Sequence, residues 1–217
     1  KVEYLLKKAE VNKRIGKFDE ALKNIDAYIL FKSNDLNGYI VRASINESTG
    51  NIAELCKDIE KILSLDANNA YKDILGELYL KQNKTDEALK YYTKLINVAP
   101  ENKIYYCKRG ICYLSLKDYQ NAFKDFSKAV AIDEQYLDAL YNRANTLIVL
   151  KMYKEALNDF EKLTKLVPSI SEYWLRMSET EYKLSEIDLA GKYYKEAKKH
   201  NNELPDFEDY FSNFRKD

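Results

Sequence analysis

The sequence predicts an all-α protein, one helix-turn-helix repeat stacked in tandem as a solenoid. Three observations carry that prediction. Segments of the chain fall into register at a step of about 34 residues, a period typical of repeat architectures. Helical periodicity runs through all 217 residues, with only three prolines and six glycines to interrupt it. Small residues recur at one fixed position per repeat, as helices in close contact require.

The stretch from Lys103 to Tyr136 sets the pattern: two short amphipathic helices around a polar turn at Lys117–Asp118. Gly110 stands inside the first helix, where a glycine costs about 1 kcal/mol against alanine, so a packing reason is expected. The reading is that it lets the second helix approach closely near Ala122. The Gly110 column reads Ala9, Ala43, Gly76, Gly110, Ala144 and Ser178, all small. The Ala122 column reads Ala21, Leu55, Ala88, Ala122, Ala156 and Ala190. Four residues on come Ile25, Ile59, Tyr92, Phe126, Phe160 and Tyr194, all large and apolar or aromatic.

These columns resemble the tetratricopeptide repeat family, whose pattern is W-x₂-L-G-x₂-Y…A-x₃-F…P. The resemblance implies a right-handed superhelical solenoid, a single domain of six repeats at 2–35, 36–68, 69–102, 103–136, 137–170 and 171–204, closed by a capping helix at about 205–215. The closing proline survives only as Pro100 and Pro168, and the leading tryptophan only as Trp174.

In chain order, the first repeat predicts a helix over Val2–Arg14, a turn at Ile15–Lys17 with Gly16 as the helix-ending residue, and a second helix from Phe18 to about Leu30. The second repeat is the least regular, because Ser44, Asn46, Ser48 and Thr49 depress helix propensity and Leu55 replaces the usual alanine. The third opens after Ala67-Asn68-Asn69, uses Asn83 where the first two use Gly16 and Gly50, and reads Thr85 as an N-cap ahead of Asp86 and Glu87. The fourth and fifth match the pattern best. After the sixth, Pro205 opens a segment in which Phe207, Tyr210, Phe211 and Phe214 recur at helical spacing, most simply a cap over the last apolar edge.

Composition removes several classes of function. With 35 basic and 35 acidic residues the formal net charge is zero, so no global field draws nucleic acid or an anionic membrane. The longest apolar run, around Leu147–Leu150, is far shorter than the roughly 20 residues a bilayer span needs. Cys56, Cys107 and Cys112 lack metal-type spacing and read as free thiols of a reducing compartment. That favours the cytoplasm, while a start at Lys1 without methionine fits removal of a leader or further domain and leaves localisation open. The sole histidine, His200, reads as a solvated helix-terminal residue. With no phosphate loop, Ser/His/Asp set or metal cluster, no enzyme activity, catalytic residue, metal or cofactor is expected.

What remains is recognition. The family resemblance implies that the first helices of successive repeats line a concave groove. It assigns to that groove Leu6, Glu10 and Lys13; Ile40, Ser44 and Glu47; Asp73, Glu77 and Leu80; Ile104, Cys107, Ile111 and Leu114; Asp138, Tyr141, Asn145, Ile148 and Val149; and Glu172, Leu175, Glu179 and Tyr182. The centre over repeats four and five is apolar and the flanks mainly acidic, which points to a protein or peptide partner with an apolar core and basic flanks. Glu77, Asp138 and Glu179 would select its charge. The carboxylate clamp of chaperone-docking members maps onto Cys107, Ile111, Asn142, Glu172 and Arg176, of which only Asn142 and Arg176 match, so that use is not expected. Two other readings stand beside the groove: an assembly module joining through its terminal repeats and aromatic C-terminal helix, monomeric or weakly self-associating, and a regulatory module of a larger protein.

Overall fold

The computed structural model describes residues 2–212 and 214, and among them finds thirteen helices and no strand. They form six pairs: α1 (Val2–Arg14) with α2 (Phe18–Phe31), α3 (Leu36–Thr49) with α4 (Ile52–Leu65), α5 (Lys72–Lys81) with α6 (Thr85–Val98), α7 (Lys103–Ser115) with α8 (Tyr119–Ile132), α9 (Leu137–Val149) with α10 (Tyr153–Leu166), and α11 (Ser171–Lys183) with α12 (Ile187–His200). A five-residue helix, α13 (Phe207–Phe211), follows. The chain divides within α6 into two compact units, Lys1–Tyr91 and Tyr92–Asp217.

One turn chemistry recurs six times. The residue that closes each first helix adopts a left-handed conformation: Gly16, Gly50, Asn83, Lys117, Lys151 and Ser185, with φ between 58° and 75°. The next N–H then reaches back to a carbonyl five residues earlier, from Lys17 to Asn12, Asp118 to Tyr113 and Met152 to Leu147, for example. This closure satisfies the orphan carbonyls of the first helix and reverses the chain into the second. The sequence shows it only at Gly16, Gly50 and Asn83; Lys117, Lys151 and Ser185 take the same conformation without a glycine. Thr85 proves to be the first residue of α6 and not its cap, with Asp86 and Glu87 in the first turn as expected.

The repeat columns are the core. Ala9, Ala43, Ala144 and Ser178 are fully buried, as are Ala21, Ala88, Ala122, Ala156 and Ala190. Ile25, Ile59, Phe126 and Phe160 fill the space between paired helices. The reason for Gly110 differs from the expected one. A Cβ there would come within 2.6 Å of the Phe126 ring, so it is this ring, and not the backbone near Ala122, that needs the space.

A buried ion pair stitches three of the pairs. Arg109 donates through Nε and Nη2 to both carboxylate oxygens of Asp125 at 2.7 Å, and Arg143 does the same to Asp159 at 2.7 and 2.6 Å. Arg42 donates twice to Asp58 Oδ1, leaving Oδ2 to accept from Asn46 Nδ2 at 2.9 Å. Burial pushes the Asp58 carboxyl up from its ordinary value, and the bonds from Arg42 and Asn46 oppose that shift. Bidentate geometry is what makes a desolvated pair tolerable. Arg42 and Arg109 also reach the preceding helix, bonding Asp26 at 2.8 Å and Thr93 at 3.3 Å.

Candidate functional site

The expected recognition residues divide between the two units. In the N-terminal unit α1 touches α3, and Glu10, Lys13, Ile40 and Ser44 come together around a cleft of about 250 Å³, with Lys13 bonded to Ser44. Glu77 and Glu47 share a second cleft of about 310 Å³, floored by Ile74 and Leu78. Asp73 is exposed, and Leu80 is half-buried.

In the C-terminal unit the first helices are again neighbours. α7 touches α9, and Tyr141 of α9 packs on Tyr173 of α11 at 5.8 Å while its hydroxyl donates to Glu172 at 3.2 Å. Ile111, Leu114, Tyr141 and Ile148 are half-buried, each with its inner side on the core. Val149 is 51% exposed and Ile104 45% exposed. Ile104 lies at the edge of this face, lining a shallow cleft of about 730 Å³ with Pro100 and Ile132. The Asn145 side chain donates to the Tyr141 carbonyl, and Asn142 donates to that of Asp138, so each amide is held with its oxygen left as an acceptor. Asp138 is exposed.

Two expected residues are not open to a ligand. Cys107 is 1% exposed. Its neighbours in the column, Tyr141 and Leu175, are long enough to reach the surface; a cysteine is not, and Tyr136 lies against it. Burial, with Asp138 nearby, pushes the thiol up to about 11. Cys112 is equally raised, to about 11, and Cys56 is raised as well, burial being the main cause in each. At pH 8 all three should therefore resist a thiol reagent such as Ellman's for as long as the fold holds, and all three should react at once in guanidinium. Rapid labelling of Cys107 in the folded protein would put it back on the surface.

Glu179 is the second. It accepts from Arg176 Nη1 at 2.9 Å and from the Tyr210 hydroxyl at 2.5 Å. Arg176 also donates to Glu172 at 2.8 Å, so one guanidinium is shared by two of the three glutamates on α11 and leaves one of those two charges unbalanced. Burial, and then the bond to Glu179, push the Tyr210 phenol up, which keeps it a donor. The acidic flank read from the sequence is thus enclosed at Glu179 only; Asp138 is exposed and Glu172 keeps 43% of its side chain in solvent. Asn142 and Arg176 join the face; the four-residue step from Asp138 and from Glu172 is the signal that marks them.

The α13 rings are also engaged. Phe211 is buried, stacked on Tyr182 at 4.3 Å and packed on Phe207, Tyr210, Phe214 and Tyr194. His200 ends α12 exposed. Among the described residues no group of three or more His, Cys, Asp or Glu could hold a metal, and no helix is long and apolar enough to cross a membrane.

Comparison with known proteins agrees with the geometry. Family models described as tetratricopeptide repeat match residues 75–136 and residues 137–170. No curated protein matches the chain by sequence. Among solved structures, a crystal structure of MamA superposes with TM-score 0.69 at 19% identity, covering 74% of this chain and 94% of its own. YrrB gives 0.66 at 20% identity, covering 82% and 93%. PilF of Pseudomonas aeruginosa gives 0.66 at 13% identity, covering 98% and 97%. With the repeat columns buried, six helix pairs closed by one turn and two abutting family matches, residues 75–170 of this chain are tetratricopeptide repeats, and the helix pairs on either side share their fold.

Proposed function

We propose that the chain is a non-catalytic scaffold that receives a protein segment on the first-helix face of its C-terminal unit. The observation that carries this is the apolar surface on neighbouring helices: Val149 stands half in solvent on α9, and Ile111 and Leu114 on α7 and Ile148 on α9 show their outer sides beside it. Folding asks for none of these outer surfaces, and a surface of this kind is a common mark of a protein-interaction site. Asn142 and Asn145 add fixed acceptors beside the apolar strip, suited to the backbone N–H groups of an extended peptide. With Glu179 buried against Arg176 and Tyr210, charge selection on this face falls to Asp138 and the half-exposed Glu172, so salt should weaken binding moderately. YrrB, described as a TPR protein with an unusual peptide-binding site, is a precedent for such use of the fold.

The test is a selection of displayed peptides on the wild-type chain, followed by anisotropy titration of the winners. The double variant Ile111→Lys/Val149→Lys should weaken them by about tenfold or more, worth about 1.4 kcal/mol, with an unchanged thermal melt. Equal affinity for both proteins would place the site on another surface.

A further inference from the structure

Four hydrogen bonds in the C-terminal unit form one unbroken relay from the recognition face to α13. The Tyr141 hydroxyl donates to Glu172 Oε1 at 3.2 Å, and Arg176 Nε donates to the same oxygen at 2.8 Å. Arg176 Nη1 donates to Glu179 Oε2 at 2.9 Å, and the Tyr210 hydroxyl donates to Glu179 Oε1 at 2.5 Å. One end of the relay, Tyr141 and Glu172, lies on the face proposed to receive a partner. The other end belongs to the short helix after the last repeat. In repeat register Tyr210 follows Asn142 and Arg176, so α13 carries it at the position those two hold on the face.

The relay holds two carboxylates and one guanidinium, and the two glutamates are unequal claimants on Arg176. Glu179 keeps only 10% of its side chain in solvent, against 43% for Glu172. A buried carboxylate gains far more from a counter-charge than an exposed one, because water does not screen it. The Tyr210 hydroxyl is what lets Glu172 keep its share, since it meets one oxygen of Glu179 with a neutral donor. Burial, and then the bond to Glu179, hold that phenol protonated. Without the hydroxyl, Glu179 Oε1 would be a buried acceptor lacking its donor, a costly state. The guanidinium already sits on Oε2 and has further N–H groups to supply one.

We propose that Tyr210 is a positioning residue that sets the specificity of the recognition face, acting through Arg176. With its hydroxyl on Glu179, Arg176 stays divided and the charge on Glu172 is muted, so the face discriminates little between a neutral and a basic residue seated beside Tyr141. Without it, Arg176 closes on Glu179, and Glu172 stands uncompensated beside Tyr141, where it selects a lysine or arginine of the partner segment. α13 thus tunes which segment binds without having to touch it. The inference rests on the reading that a segment binds this face.

Tyr210→Phe isolates the hydroxyl, since the ring keeps its neighbours Tyr194, Phe211 and Phe214. The first readout needs no ligand: in nitrogen–proton NMR spectra of the full chain the Arg176 Nε–H signal should move toward its position in Glu172→Gln. The second uses the winners of the displayed-peptide selection, each resynthesised with one lysine at successive positions. At one position the lysine should improve binding to Tyr210→Phe by about threefold or more over its effect on the wild type. Adding Glu172→Gln should abolish that gain, and Glu179→Gln, which leaves Arg176 wholly to Glu172, should reverse its sign. An Nε–H signal that stays in place, or a lysine preference identical in wild type and Tyr210→Phe, overturns the proposal. Winners indifferent to Ile111→Lys/Val149→Lys overturn the reading of the face and the selectivity with it, and a shifted Nε–H signal then shows that the relay is not what failed.

Discussion

Asp159→Ala should cost about 3–5 kcal/mol of stability, read from urea unfolding, because it strands the Arg143 guanidinium in a buried site without a counter-charge. The double variant Arg143→Met/Asp159→Tyr should recover nearly all of it. The reason is written elsewhere in the chain. Three repeats hold the ion pair, but at the same two positions repeat three has Leu75 and Tyr91, and repeat six has Met177 and Tyr193. Met177 is 1% exposed, and Tyr193 stacks on Trp174 at 6.2 Å, so the apolar solution packs without a charge. In repeat five the Trp174 position is Leu140, an apolar neighbour for an introduced tyrosine. Taking two charges out of water offsets most of what their attraction returns, which is why the two solutions interchange within one chain while the half-solution does not. Costs of the single changes that simply add in the double variant would mean the pair makes no specific contribution to joining α9 to α10.

The fold was legible in the sequence wherever a physical demand falls on one residue type at a fixed spacing. The small column, the alanine column and the large column each answer one packing constraint, and all three are buried where expected. The left-handed closure was legible at Gly16, Gly50 and Asn83 but not at Lys117, where only a polar turn was read, nor at Lys151 or Ser185, because once the flanking helices are clamped by packing, a lysine bears the left-handed conformation at modest cost. The expected groove residues were legible as positions along the first helices and not as a set of accessibilities. Cys107 occupies a position where the next repeat has a half-buried tyrosine, yet is too short to reach solvent. Glu179 reads as a free acid until Tyr210, thirty-one residues later, is seen to donate to it. Such a contact has no local periodicity, so no spacing argument could find it.

That last contact belongs to the element with the largest expected effect per residue. Phe211→Ala should remove about 3–5 kcal/mol, the usual cost of deleting a buried phenyl ring. A five-residue helix is too short to hold itself together in water, so α13 exists by packing alone, and Phe211 is the ring that touches all the others. Its loss should free α13, uncover Tyr182 and Tyr194, and leave Glu179 to Arg176 without the tyrosine. Hydrogen exchange is the direct readout: amides of α11 and α12 should lose protection first, while those of α9 and α10 change less, because each repeat leans on its neighbours. Light scattering on the same variant separates two roles for the aromatic segment. Phe211 is buried in the protein's own core and Phe207, Tyr210 and Phe214 are half-buried around it, so the wild type should associate little through α13, and association should increase when Phe211→Ala exposes the aromatic edge. An unaltered exchange pattern would instead mean that α13 rests on the last pair without stabilising it, and the rings would then be free to serve as an anchor for another molecule.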